Sequence, residues 1–222
     1  MRMSELSAKS GVPIATIKYY LREGLLPQGR QLAATRAEYD ESHLRRLRLI
    51  RALLEVGRLP VAAIKQVVAA VDDESLPLHT MLGTAHYALS PAVEHEHTEE
   101  WASALQAVDR LIAARGWHIT PGAPARAELA QTVVRMRHLG LPVDLHPYAE
   151  AVDRLVKEVE MDKIPFDAPR DTAVEALVLG TVLYGRALDA LRRLAQESES
   201  ARRLGVSPPP APDASAATAP PA

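Results

Sequence analysis

Hydrophobic positions recur along most of this chain at the three- and four-residue spacing of amphipathic helices. Ser4 is an N-cap residue with Leu6 facing inward, and Gly11 can take the left-handed conformation that ends a first helix. Pro13 opens a second helix, where its missing N–H costs nothing. Ile14, Ile17 and Leu21 fall at i, i+3 and i+7 and are expected to be its buried face. Two short extended pieces follow, around Gly29-Arg30 and Thr35-Arg36-Ala37-Glu38-Tyr39, and predict a β-hairpin with a basic tip. Asp40 or Ser42 starts a third helix that carries Leu44, Leu47, Leu49, Ile50 and Leu54 and stops at Gly57. Pro60 starts a fourth, with Val61, Ile64, Val67, Val68 and Val71 apolar.

The remaining pattern is helical throughout. Residues 75–90 hold a short helical candidate cut by Pro91, and a longer one covers about residues 92–115. In it Trp101, Leu105, Val108 and Ile112 make a short heptad-like seam, suited either to a dimer helix or to one helix of a globular bundle. Three more amphipathic segments lie near 123–139, 145–162 and 170–204. The last is apolar nearly all round, from Val174 to Leu194, with Gly180 and Gly185 inside it. That implies burial on more than one side, and a subunit interface would supply the second. Residues 206–222 are a Pro/Ala stretch with little to bury, and disorder is expected there. The expected fold is mainly α. It divides into an N-terminal winged helix-turn-helix unit (1–73), an all-α helical bundle (74–205) and the tail.

Composition changes this picture in two ways. The 222 residues include no Cys, which excludes disulfides and thiolate metal sites and fits a reducing cytoplasm. No apolar run approaches the roughly 20 residues of a membrane span, and no signal-peptide pattern opens the chain. The net charge of -2 conceals an asymmetry. Residues 1–71 hold twelve basic and six acidic side chains, a net +6, whereas the rest carries 14 basic and 22 acidic, a net -8. A basic head on an acidic body suits a nucleic-acid-binding domain joined to one that avoids DNA.

The head carries the chemistry. SELSAKSGVPIATIKYYLREGLLP reads as helix, tight turn and short basic, aromatic helix, the shape that enters a DNA major groove. Thr16, Lys18, Tyr19 and Tyr20 are candidates for its outer face. Thr16 could meet a thymine methyl, and Lys18 and Tyr19 phosphates or base edges, with one of the two tyrosines packed inward. Arg30 and Arg36 of the hairpin suit phosphates or an adjacent minor groove. Arg58 stands at the threshold of the fourth helix, beside free N–H groups that attract phosphate.

These residues in this order, with RAEYDESHLRRL and LLEVGRLPVAAI after them, resemble the MerR-type transcription regulators over about residues 1–71. The resemblance implies a winged helix-turn-helix that binds a palindromic promoter site as a homodimer. Activators of that family bend and untwist the promoter so that RNA polymerase can use it. By position, Lys18, Tyr19 and Tyr20 match the basic-Tyr-Tyr of the recognition helix, and Arg36 matches a wing arginine. Lys18 stands where many relatives have Arg, which favours a phosphate role over bidentate base reading. The body departs from the family, whose members follow the fourth helix with one long dimer helix. Its layout faintly resembles the effector domain of tetracycline-repressor-type regulators.

The body's chemistry is thinner. Tyr87, Trp101, Trp117, Tyr148 and Tyr184, placed around one cavity, would suit a small organic effector by stacking and cation–π contact. Ordinary core packing competes for each of them. Glu94-His95-Glu96-His97 crowds imidazole and carboxylate, the ligands of a metal-responsive regulator. On a helix, however, His95 and His97 point apart, and a solvated acidic helix start accounts for the same residues. No nucleophile elbow, phosphate loop, dinucleotide fingerprint or zincin motif is present, so no enzyme and no cofactor are expected. The expectation is therefore a cytoplasmic, dimeric transcription regulator. A ligand-free DNA-bending factor or a partner-controlled one is the alternative.

Overall fold

The structure, a computed structural model, describes residues 1–33, 36–93 and 98–206. Among them are nine α-helices and one two-stranded hairpin. The chain divides into a first unit, Met1–Val182, and a second that begins at Leu183.

The first four helices and the hairpin form the head. Helix α1 (Met3–Ser10) starts one residue before the expected Ser4 cap, and the Glu5 carboxylate accepts from the backbone N–H of Arg2 at 2.8 Å. Gly11 closes α1 with φ 70°, and its N–H reaches the Ser7 carbonyl at 2.9 Å. Helix α2 (Ile14–Arg22) follows Pro13. Strands β1 (Arg30–Ala33) and β2 (Arg36–Glu38) pair antiparallel, Arg30 opposite Glu38. Gly29 is required at their base: a Cβ there would lie 2.8 Å from the Glu38 carbonyl oxygen and from the Tyr39 ring.

Asp40 caps α3 (Glu41–Arg51) by accepting from the N–H groups of Ser42 and His43. The helix widens into one π turn, Ala52–Val56, before α4 (Val61–Asp72). Leu6, Ile17, Leu25, Leu47, Leu53 and Ile64 make the centre of this core.

The core does not end where α4 ends. Met81, Leu82 and Ala85 of α5 (Leu78–Leu89) join it, as do Ala173, Val174, Leu177 and Val178 from the first turns of α9 (Arg170–Arg203). Two arginines fasten that junction. Arg46, 5% exposed, donates to Asp72 at the end of α4 and to Asp171 at the start of α9. Arg170 donates to the carbonyls of Ala70, Val71, Asp73 and Leu76 at 3.0–3.1 Å. Ala70 and Val71 lie in the last turn of α4, where carbonyls lack a helical partner, and a cation at a helix C-terminus also suits the dipole.

A second, smaller core lies between α6 (Glu99–Arg115) and α7 (Pro124–His138). Trp101, Ala104 and Val108 pack on Ala127, Ala130 and Val133. The seam read from Trp101 to Ile112 thus serves an antiparallel helical hairpin. Arg126 clasps Asp109 at 2.6 and 2.7 Å, and His138 meets Glu100 at 2.7 Å. Helix α8 (His146–Leu155) is tied to the end of α6 by Asp153, which accepts from the Trp117 indole at 2.8 Å.

Candidate nucleic-acid interface

Helix α2 presents one edge to solvent. Ile14, Ala15, Lys18 and Arg22 are exposed, whereas Ile17 and Tyr20 are buried and Thr16, Tyr19 and Leu21 lie between. Lys18 therefore stands in the middle of an open edge, with Thr16 and Tyr19 beside it. The Arg22 guanidinium lies 5.5 Å from the centre of the Tyr19 ring, a cation–π contact that steadies both side chains.

Two expectations for this helix need correction. Tyr20 is only 7% exposed and belongs to the core, so it cannot reach DNA from this arrangement. Burial raises the pKa of its phenol, and the charge of Glu55 adds to the effect. Ile14, expected inside, is 40% exposed. The reason is local. Val12, in the turn before the helix, fills the core position, and the first turn of α2 projects past it.

The wing sits beside this edge because the chain's start is stitched to it. The amino group of Met1 donates to the Tyr39 carbonyl at 2.6 Å, and the Tyr39 N–H donates back to the Met1 carbonyl at 2.8 Å. A shallow groove of about 660 Å³ results, with Arg2, Ser4, Lys18, Ile14 and Ala37 among its walls. Arg30 is exposed but already engaged, 2.6 Å from the Glu38 carboxylate across the hairpin. Arg36 opens β2, and its side chain lies outside the described residues. Arg58 is exposed and holds φ at 53°, a left-handed conformation that costs a non-glycine residue roughly 1–3 kcal/mol. It stands just before the N-terminus of α4, where no side chain caps the free N–H groups.

Comparison with known proteins agrees with this geometry. The MerR HTH family regulatory protein pattern matches residues 1–71. A crystal structure of a candidate transcriptional regulator from Streptomyces coelicolor A3(2) is 41% identical. The match covers 94% of this chain and 100% of that one, with a TM-score of 0.74. The chain belongs to the MerR family of helix-turn-helix regulators. It is a DNA-binding transcription regulator. No curated protein matches it. No helix among the described residues is long and apolar enough to cross a membrane.

Arg22 and Arg2 of this MerR-family chain lie on the candidate interface without having been singled out by sequence: Arg22 is exposed on α2 and Arg2 lines the groove. Arg22 was detectable, since Ala15, Lys18 and Arg22 fall at i, i+3 and i+7. Arg2 was not, because only the pairing of Met1 with Tyr39 places it beside the wing.

The body's aromatics are not gathered around one described cavity. Trp101 is buried between α6 and α7, Trp117 is held by Asp153, and Tyr148 lies on the surface of α8. Tyr184 belongs to the second unit. Tyr87 lines a pocket of about 380 Å³ with Ser90, Pro91, Val93, Pro124 and Arg126. Glu94–His97 lie outside the described residues. Among the described ones, no three His, Asp or Glu side chains come together as a metal site would need.

Proposed function

We propose that this regulator binds an inverted-repeat promoter site as a homodimer in the cytoplasm, and that a small organic effector modulates the binding. In this reading residues 1–73 meet DNA, residues 74–205 dimerise and hold the effector, and 206–222 form a tail. Helix α2 enters the major groove with Lys18, Thr16 and Tyr19. Arg30 and Arg36 of the wing and Arg58 before α4 meet the backbone on either side. RNA polymerase is the partner at the promoter.

The observation that carries the reading is the position of Lys18. It is exposed at the centre of the open edge of α2 and lines the groove that the wing completes. For the effector, support comes from the pocket under Tyr87, whose walls of Pro, Val and Ala suit an apolar ring. An effector there acts only through its differential affinity for two arrangements of the paired heads.

Fluorescence anisotropy tests both parts, with DNA from upstream of the protein's own coding region and apolar or cationic aromatic compounds added in turn. Tight, salt-sensitive binding that a compound shifts is the expected result. Binding indifferent to salt would sink the phosphate contacts. Binding indifferent to every compound would favour a factor without an effector.

A further inference from the structure

The head spends nearly all its large apolar side chains on its core. Among the described side chains of residues 1–77, only Ile14 and Leu32 are large, apolar and exposed, at 40% and 48%. A single exposed apolar residue is ordinary on a protein surface. The placement of these two is not. Leu32 lies in β1 of the wing and Ile14 opens α2, the two elements that the DNA reading sets against a duplex.

Packing does not account for Ile14. Val12 before it and Ile17 after it are buried and fill the core. Ile14 instead helps to wall the groove between α2 and the wing, with Lys18, Ser4 and Ala37. Lys18 is four residues on, so the two side chains share one face of the helix. Pro13 and Ala15, both exposed, flank Ile14. None of these three side chains carries a hydrogen-bond donor or acceptor. The first residues of a recognition helix are the ones that reach base edges. At this end of α2, side chains can therefore read a base only by apolar contact.

Resting on the reading that α2 enters the major groove, we infer that Ile14 is a specificity-determining residue that packs on the C5-methyl group of a thymine, one in each half of the operator. That methyl is the apolar group a base pair presents in the major groove, and guanine, adenine and cytosine offer hydrogen-bonding groups there instead. Contact takes the exposed apolar surface of both partners out of water. Lys18, on the same face, holds the helix to the phosphates while Ile14 selects the base. The methyl contact belongs to Ile14 rather than to Thr16, which is half-buried.

The test uses the full chain and a short duplex that it selects from random-sequence DNA, with binding read by fluorescence anisotropy. Each thymine is replaced by uracil, the same base without the methyl group, at symmetric positions of both half-sites. At one such pair the dissociation constant should rise on the order of 15-fold, about fourfold for each buried methyl. Ile14→Ala should bind the thymine and uracil duplexes of that pair equally well. This variant changes an exposed helical position to a good helix former, so it keeps the fold. Uracil replacements without effect at every position would overturn the inference and leave the DNA reading intact. An Ile14→Ala protein that keeps the full thymine preference would do the same. A preference lost in Thr16→Ser and kept in Ile14→Ala would give the contact to Thr16 and overturn the assignment. A chain that selects no duplex at all would remove the DNA reading and this inference together.

Discussion

The Nε of Arg46 donates to a carboxylate oxygen of Asp171 at 2.6 Å, joining α3 to the start of α9 across 125 residues of chain. Asp72 takes the other side of the same guanidinium. Burial alone would lower the pKa of Arg46, and the two carboxylates more than offset it, so the net shift is upward. Removing the cation leaves Asp171 nearly buried beside no partner. We expect Arg46→Ala to lose about 3 kcal/mol of unfolding free energy in urea denaturation, the scale for breaking a buried pair. A loss below about 1 kcal/mol would mean that the junction does not depend on this ion pair.

Tyr20 and Lys18 separate folding from DNA contact. Tyr20→Phe should keep operator affinity within about twofold, because only the hydroxyl of a core ring is lost, whereas Tyr20→Ala should cost about 3 kcal/mol of stability. Lys18→Ala should do the reverse. It should leave the melting temperature unchanged, weaken operator binding by about 1 kcal/mol and reduce the salt slope by about one. If Tyr20→Phe abolishes binding while the protein stays folded, Tyr20 reads DNA and the head must rearrange.

At Arg58 stability and function should pull apart. Glycine adopts φ 53° without strain, so Arg58→Gly should stabilise the chain by about 1 kcal/mol. The same change removes the phosphate contact proposed for this side chain and should weaken DNA binding. Thermal melts and anisotropy on one preparation read both signs, and stabilisation with unchanged affinity would remove Arg58 from the interface.

Acid should loosen the start of α3. Hydrogen bonds from Ser42 and then His43 hold the Asp40 carboxyl well below its ordinary range. A carboxylate with a depressed folded pKa contributes stability that is fully present above the unfolded pKa of about 3.9, and that is lost as pH falls toward the folded value. Asp40→Ala should therefore cost about 1 kcal/mol at pH 7, the usual worth of such a cap. It should also flatten the loss of stability below about pH 4, read from urea midpoints. A variant with the same acid limb as the parent would show that other carboxylates govern it.

The helices of the head were legible because each of their signals is local. Gly11, Asp40, Gly57 and Pro60 punctuate the chain through backbone conformations that act within a few residues. The basic edge of α2 was legible for the same reason, since Lys18 and its neighbours follow helical spacing. Tyr20 and Ile14 were misjudged because which side of a short helix faces inward depends on what it packs against. Here Val12 supplies the core contact that Ile14 would otherwise make.

Sequence alone thus determined the order of helices, the punctuation of the head, its net positive charge and its family resemblance, all of which arise from neighbouring residues or simple sums. Tertiary structure decided that α5 and the first turns of α9 complete the head's core, that Arg46 and Arg170 fasten the junction, and that Trp101 packs inside rather than beside a ligand. Those facts join residues a hundred or so positions apart in some cases. No spacing rule carries them, because they depend on which apolar faces and unpaired carbonyls meet once the chain has folded.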